Sequence, residues 1–417
     1  MMRSMFSAIS GLRNHQVFLD VIGNNLANVN TTAFKASRVS FQDMLSQTLR
    51  GASSATTGRG GVNAAQVGLG MLLGGIDTVQ TQGNLQSTGK QTDLAIQGDG
   101  YFVLGDGTQR YYSRDGAFDL ATDGTLVNPS TGYQVLGWTA SGAATIDTSG
   151  APASLTVPIG QGVIGQVSAT TVMGGNLDRD ATAAVSTTIA TYDATGGQHK
   201  VALDFTKTAG NTWEWTAATA DTDGTVVSYN ADTDTAAERT ITFDGTTGKV
   251  TSPTAGLTIN IAPPALSGAA AYDLSIDFTQ MTQLASPNEI TSSSDGAPAG
   301  SLMSFSIGNS GVLSGIYSNG LNQQLGQIAV ATFPNPGGLL RTGSNLLTVS
   351  ANSGTAQIGA PASSGRGEIA SGVLEMSNVD LALQFTNMII AQRGFQANSR
   401  VITATDEMLQ DLVNLKR

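Results

Sequence analysis

The chain has 417 residues, 40% hydrophobic and 12% charged, with 51 glycines, no cysteine and a formal charge of −11. That length supports several domains with real cores, and the missing thiols exclude disulfide staples, zinc–thiolate sites and cysteine nucleophiles. The acidic balance argues against nucleic acid or an anionic membrane as partner, because phosphate binding needs clustered Lys and Arg.

At the front, Met5, Ile9, Leu12, Gln16 and Leu19 keep a 4-3-4-3 spacing, which Ile22, Leu26 and Val29 continue with one slip. This pattern predicts a helix over 3–29 that packs lengthwise on other helices. Asp20 and Asn24 interrupt the apolar positions, so no secretory h-region is expected. No uninterrupted apolar run reaches the roughly 18 residues of a membrane span. A shorter mixed segment follows over 31–50, with Phe34, Val39, Phe41, Met44 and Leu45. Residues 51–75 are glycine-dense and read as a linker or long loop.

From about residue 76 the period changes to two. Leu94–Ile96 and Tyr101–Leu104 flank Gly98-Asp99-Gly100, a strand–turn–strand signal. Further short strands are expected around Tyr111, Phe118, Leu126 and Tyr133, with a connector over 151–166. A second β region spans 167–285, where Thr188–Tyr192 and Val201–Phe205 flank the hairpin turn Asp193–Gly197. A third block, 302–374, resumes the short strands. Ser377-Asn378-Val379-Asp380 then reads as a capping box opening the last helix. In that helix Leu381, Phe385, Met388, Gln392, Phe395, Ser399, Ile402, Asp406, Leu409 and Val413 hold an unbroken 4-3-4-3 seam.

Chemistry is poorly provided for, and no enzyme and no cofactor are expected. His15 and His199 lack partners at metal-ligand spacing and read as ordinary packing or surface residues. Asp221-Thr222-Asp223-Gly224 has part of a calcium-loop pattern, but Thr219 stands where the first aspartate belongs and the closing glutamate is missing, so it reads as a turn. No phosphate-cradling or nucleophile motif is present. The two seams carry more of the argument. Both lie at the ends of a β-rich chain, and Gln16, Gln392 and Asp406 make them too polar for a dry intramolecular core. Inter-subunit helix packing is therefore expected at Met5, Ile9, Leu12, Leu19, Leu26, Leu381, Phe385, Met388, Phe395, Ile402, Leu409 and Val413. A helix pair alone in water is marginal, so ordering of the ends is expected to accompany polymerisation. Gly394 inside the last helix suggests a close backbone approach.

Ser10-Gly11-Leu12 and the run Asn24–Lys35, with Asn25, Leu26, Ala27, Asn28, Thr31, Phe34 and Lys35, resemble the N-terminal signature of bacterial flagellar rod and hook proteins. Glu375–Asp380, with Ser377, Asn378 and Val379, and Met388–Arg400, with Gln392 and Arg393, resemble the matching C-terminal signature. Ala33 stands where many members have glycine. Thr191–His199 resembles an outer-domain hairpin of the hook branch, and Tyr317–Phe333 its returning inner β domain.

The resemblance implies a multidomain fold in nested, discontinuous pieces. Residues 1–30 with 375–417 would form a helical, coiled-coil-like inner-tube domain. Residues 31–75 would connect it to an inner β domain, 76–166 with 286–374. Residues 167–285 would form an outer β domain, so that the ends lie innermost and the middle outermost. The implied function is a structural subunit of the flagellar hook, a homopolymeric universal joint that carries motor torque from rod to filament and encloses the export channel. Implied partners are further copies of the chain, the flagellar rod, the hook cap protein, the hook–filament junction protein and the flagellar type III export apparatus, with no nucleic acid and no membrane span. The implied location is extracellular. A distal rod protein, a secreted adhesin-like binding module and an extracellular hydrolase remain as other readings. The 167–285 insertion argues against a rod protein, and an adhesin predicts a discrete oligomer rather than a tube.

Overall fold

The computed structural model describes residues 2–55, 57–140, 146–160, 162–163, 165–229, 239–254 and 256–414. Met1 and 415–417, at the ends of the expected helical domain, lie outside the described residues. So do Thr56 of the expected linker and Gln161 and Ile164 of the expected connector. The described chain divides into two compact units: 1–157 with 306–314 and 324–417, and 158–305 with 315–323. No helix among the described residues is long and apolar enough to cross a membrane.

In the first unit, α1 (Met2–Ala27) packs on α2 (Leu381–Asn414). The pairing is antiparallel: Gly11 lies against Asn398, His15 against Gly394, and Asn25 bonds Gln384. Ala8, Gly11, Ile22 and Asn25 are the buried positions of α1; Gln384, Ala391 and Thr405 are those of α2. Small residues there let the helices approach closely. A Cβ on Gly394 would stand 2.7 Å from the His15 ring, and one on Gly11 would stand 2.7 Å from Asn398 Nδ2. The close approach expected at Gly394 is present, and His15 is what fills it.

The cap of α2 differs from expectation. Asp380 Oδ1, not Ser377, accepts the free amides of Ala382 (2.9 Å) and Leu383 (3.1 Å). Of the four residues read as a capping box, Asp380 alone caps the helix, and Asn378 is committed to other backbone groups.

The glycine-dense stretch is more regular than a linker. Ser37–Asp43 pairs antiparallel with Met71–Thr78, and Ser46–Arg50 with Ala65–Gly68. Backbone pairing there proceeds without buried side chains, so hydropathy does not reveal it. Leu94–Gln97 and Tyr101–Gly105 are both strands but do not pair with each other. The first pairs with Glu368–Ser371, the second with Arg110–Ser113 and Gln134–Thr139. Gly98 (φ +103°) and Gly100 (φ +143°) turn the chain away from a hairpin. Tyr101, Val103, Tyr112, Trp138, Ala329, Ala331 and Phe333 form a core on this sheet.

The second unit holds two five-stranded sheets. One runs in the order Val226–Tyr229, Leu257–Ala262, Tyr272–Leu284, Thr170–Asp178, Glu289–Ser294. The other runs Val185–Tyr192, Gln198–Ala209, Thr212–Thr219, Thr240–Phe243, Val250–Ser252. Asp193–Gly197 turns the chain between Val185–Tyr192 and Gln198–Ala209, as expected. Alternation delivers the core: Val201, Leu203 and Phe205 from one strand, Trp213 and Trp215 from the next, Leu274, Ile276 and Phe278 from the other sheet.

Candidate functional site: the junction of the terminal signatures

α1 ends where asparagines take over its orphan carbonyls. Asn28 Nδ2 donates to Asn24 O (2.9 Å), and Thr31 Oγ1 to Asn28 Oδ1 (3.1 Å). The chain then turns through Ala33, whose φ is +56°. That region favours glycine and costs an alanine roughly 1–2 kcal/mol. The Ala33 amide donates to Glu375 O at 2.8 Å, which fixes the turn.

Beyond the turn, residues 34–37 lie against the segment that leads into α2. Lys35 Nζ meets Glu375 Oε1 at 2.5 Å and donates to Thr81 O at 2.9 Å. Arg114 Nη1 meets Glu375 Oε2 at 3.3 Å, and its Nη2 donates to Gly98 O at 2.7 Å. The Gly83 amide donates to Glu375 Oε1 at 2.9 Å. Glu375 has a fully buried side chain between two nearly buried cations. Burial pulls the Lys35 ammonium below the usual lysine range, and the contact with Glu375 opposes that shift.

Two asparagines act as backbone substitutes. Asn25 Oδ1 accepts the Ser37 amide (2.9 Å) while its Nδ2 donates to Ser37 O (2.8 Å). Asn378 Oδ1 accepts the Ala36 amide (2.7 Å), and its Nδ2 donates to Val79 O (2.9 Å) and Thr81 O (3.0 Å). Arg341 closes the edge, donating to Lys35 O at 2.8 Å with its guanidinium 5.5 Å from the Phe34 ring. Asn345 Nδ2 donates to Thr32 O. A cavity of about 190 Å³ beside the junction is lined by Phe34, Lys35, Tyr101, Arg114 and Arg341, among others.

Of the signature residues, Asn25, Asn28, Thr31, Phe34, Lys35 and Asn378 build the junction. Ser377 and Val379 share one bond beside it, Ser377 Oγ accepting the Val379 amide at 3.3 Å. Leu26 is half-buried, and Ala27, Gln392 and Arg393 are exposed. Sequence reasoning left Arg114, Arg341, Asn345 and the side chain of Glu375 without a role. Glu375 sits inside the C-terminal signature, whereas the arginines lie in loops and strands with no periodic signal.

The seam residues have a different fate. Met5, Ile9, Leu12, Leu19, Leu26, Met388, Phe395, Ile402 and Leu409 are half-buried, and Leu381, Phe385 and Val413 are exposed. The fully buried intramolecular stripe runs beside the α1 seam, one residue away at Ala8, Gly11 and Asn25. Phe6, Leu383, Ile389, Ile390, Val401 and Met408 add to the apolar surface left on the helices. The chemistry at the junction is structural: a buried ion triad and amide pairs that lock two distant segments together.

Comparison with known proteins gives matches along the chain. Residues 5–35 match the flagella basal body rod protein model, and 95–169 the flagellar hook protein FlgE/F/G D1 domain. Residues 166–297 match the flagellar basal body protein FlaE D2 domain, and 370–415 the flagellar basal body rod FlgEFG protein C-terminal model. The chain is 41% identical over 463 residues to the flagellar hook protein FlgE of Treponema pallidum, covering 100% of both. It is 40% identical over 448 residues to that of Borreliella burgdorferi, again covering 100% of both. The flagellar basal-body rod protein FlgG of Bacillus subtilis is 34% identical over 418 residues, with 100% of each chain covered. Among solved structures, the Helicobacter pylori flagellar hook protein FlgE2 aligns at TM-score 0.49 and 14% identity, over 70% of this chain and 100% of that one.

Proposed function

The chain belongs to the flagellar hook protein FlgE family and is a structural subunit of the flagellar hook; from that premise we propose how it assembles and works. Copies of the chain pack through their terminal helices into a tube that encloses the export channel. Residues 1–30 with 375–417 line it, 31–75 connect, 76–166 with 286–374 form an inner β layer and 167–285 an outer one. The tube acts as a universal joint, stiff in twist through helix packing and soft in bending through wet, lightly charged contacts between β domains. It meets the rod at one end and the hook–filament junction protein at the other. The hook cap protein guides its growth, the flagellar type III apparatus exports it, and it works outside the cell.

The observation that supports this reading is the apolar surface of the helices. Phe6, Leu381, Leu383, Phe385, Ile389, Ile390 and Val413 are all more than 40% exposed. Contiguous apolar surface of this kind marks an interaction site. Phe385→Asp with Ile389→Asp is expected to leave the fold intact and abolish tube formation, seen by electron microscopy; tubes of normal length would refute it. The similarity to a rod protein supports a second reading, a rigid distal rod subunit. Gold-labelled antibody against 167–285 separates the two: label on a curved segment between basal body and filament supports the hook, and label on a straight rod segment overturns it.

A further inference from the structure

The strand Gln198–Ala209 opens with a residue of unusual placement. Val201, Leu203 and Phe205 point into the core of the second unit, and by the same alternation so does His199, which is 4% exposed. Its Nε2 lies 3.0 Å from Asp193 Oδ2 in the preceding turn. Asp193 Oδ1 accepts the Thr195 hydroxyl (2.7 Å) and the Gly197 amide (2.8 Å), which fixes the carboxyl against the ring. Nε2 thus faces Asp193, and Nδ1 points to the other side of the ring.

Nδ1 faces the turn Asp221–Thr225. The Thr225 hydroxyl gives its single proton to Asp223 Oδ1 at 2.8 Å and so accepts from Nδ1–H at 3.0 Å. Asp223 Oδ2 remains free of that bond and stands 3.6 Å from Nδ1. Ligand atoms of His199, Asp221 and Asp223 all lie within 4.8 Å of one another. Among the described residues no lysine or arginine is ion-paired with Asp221 or Asp223. A buried imidazole nitrogen and two carboxylates thus converge, and an ion would take the place of the Nδ1 proton.

We propose that the second unit binds a divalent transition-metal ion, of the zinc or nickel class, through His199 Nδ1, Asp221 and Asp223, with water completing its shell. An ion about 2.0–2.2 Å from each ligand atom, as zinc prefers, would see Nδ1 and Asp223 Oδ2 spread by about 120°. Asp221 and Asp223 reach the surface and close the remaining distance by rotating. Imidazole selects zinc, nickel or copper over calcium, which takes oxygen ligands. Asp193 plays the carboxylate that orients a ligating histidine. The ion would tie the hairpin turn 193–197 to the turn 221–225.

Isothermal titration of the metal-stripped full chain with ZnCl₂, beside CaCl₂ as control, tests this. One Zn²⁺ per chain at micromolar affinity or tighter is expected, with calcium much weaker. Asp221→Asn and Asp223→Asn are at the surface and keep the fold, which a melting curve checks; each is expected to weaken zinc by at least about tenfold. His15→Gln is expected to leave binding unchanged. No zinc binding at millimolar concentration, equal binding of calcium, or binding unaffected by both aspartate variants would overturn the site.

Discussion

Glu375→Gln is the most direct probe of the junction. The substitution keeps shape and volume but leaves Lys35 and Arg114 facing a neutral amide. The side chain is fully buried and the two cations are nearly so. Removing one partner of such a cluster costs about 3–5 kcal/mol. The triple variant Lys35→Met, Arg114→Leu, Glu375→Leu sharpens the test. Apolar replacement of a buried triad is often neutral or stabilising. Here the triad also serves the backbone: Gly83 N–H donates to Glu375, and Thr81 O and Gly98 O accept from Lys35 and Arg114. Each such group left unpaired costs about 1–3 kcal/mol. The triple variant is therefore expected to stay at least about 3 kcal/mol below the parent. Urea unfolding, with hydrogen exchange of peptides covering 31–37 and 373–378, reads both numbers. A glutamine variant within about 1 kcal/mol of the parent would refute the ion-triad argument. A triple variant as stable as the parent would refute the backbone-capping argument.

Other outcomes follow from single contacts. Ala33→Gly relieves a positive φ and is expected to raise stability by up to about 1 kcal/mol, while Ala33→Val lowers it, both by thermal melting. Gly394→Ala drives a Cβ into the His15 ring and is expected to cost about 1–3 kcal/mol, seen as loss of helical circular dichroism and of polymerisation. Asp193 has a folded-state pKa below the unfolded one. Its stabilising contribution is therefore full above the ordinary aspartate range and lost as pH falls through the folded value. Urea titration of Trp213 and Trp215 fluorescence between pH 7 and pH 3 is expected to show that slope, and Asp193→Asn to flatten it.

The helices and the alternating strands of the second unit are legible because their burial is periodic: Leu274, Ile276 and Phe278 announce a strand by spacing alone. The same reasoning reaches His199, which lies two residues before Val201 on the core face, yet an isolated histidine after a turn reads as surface. The strands at 37–78 escape notice because they bury almost no side chains. The junction is half legible. Asn25, Lys35 and Asn378 lie in recognisable runs, but what they hold depends on Arg114 and Arg341, brought near only by the folded sheet. The α1 seam stands beside the stripe that α1 buries on α2 at Ala8, Gly11 and Asn25; both keep a 4-3 rhythm, and spacing cannot say which faces the helix of the same chain.

Lys35 and Glu375 are 340 positions apart. A chain emerging from a ribosome therefore carries its first signature as an open end until Glu375 has followed. Neither the buried ammonium nor the Ala33 turn has its counterpart before then. The β units in between can condense on their own local pairings, but the clasp shuts only once Glu375 has emerged. Any product cut short before residue 375 leaves the clasp open, with Lys35 and Arg114 lacking their carboxylate.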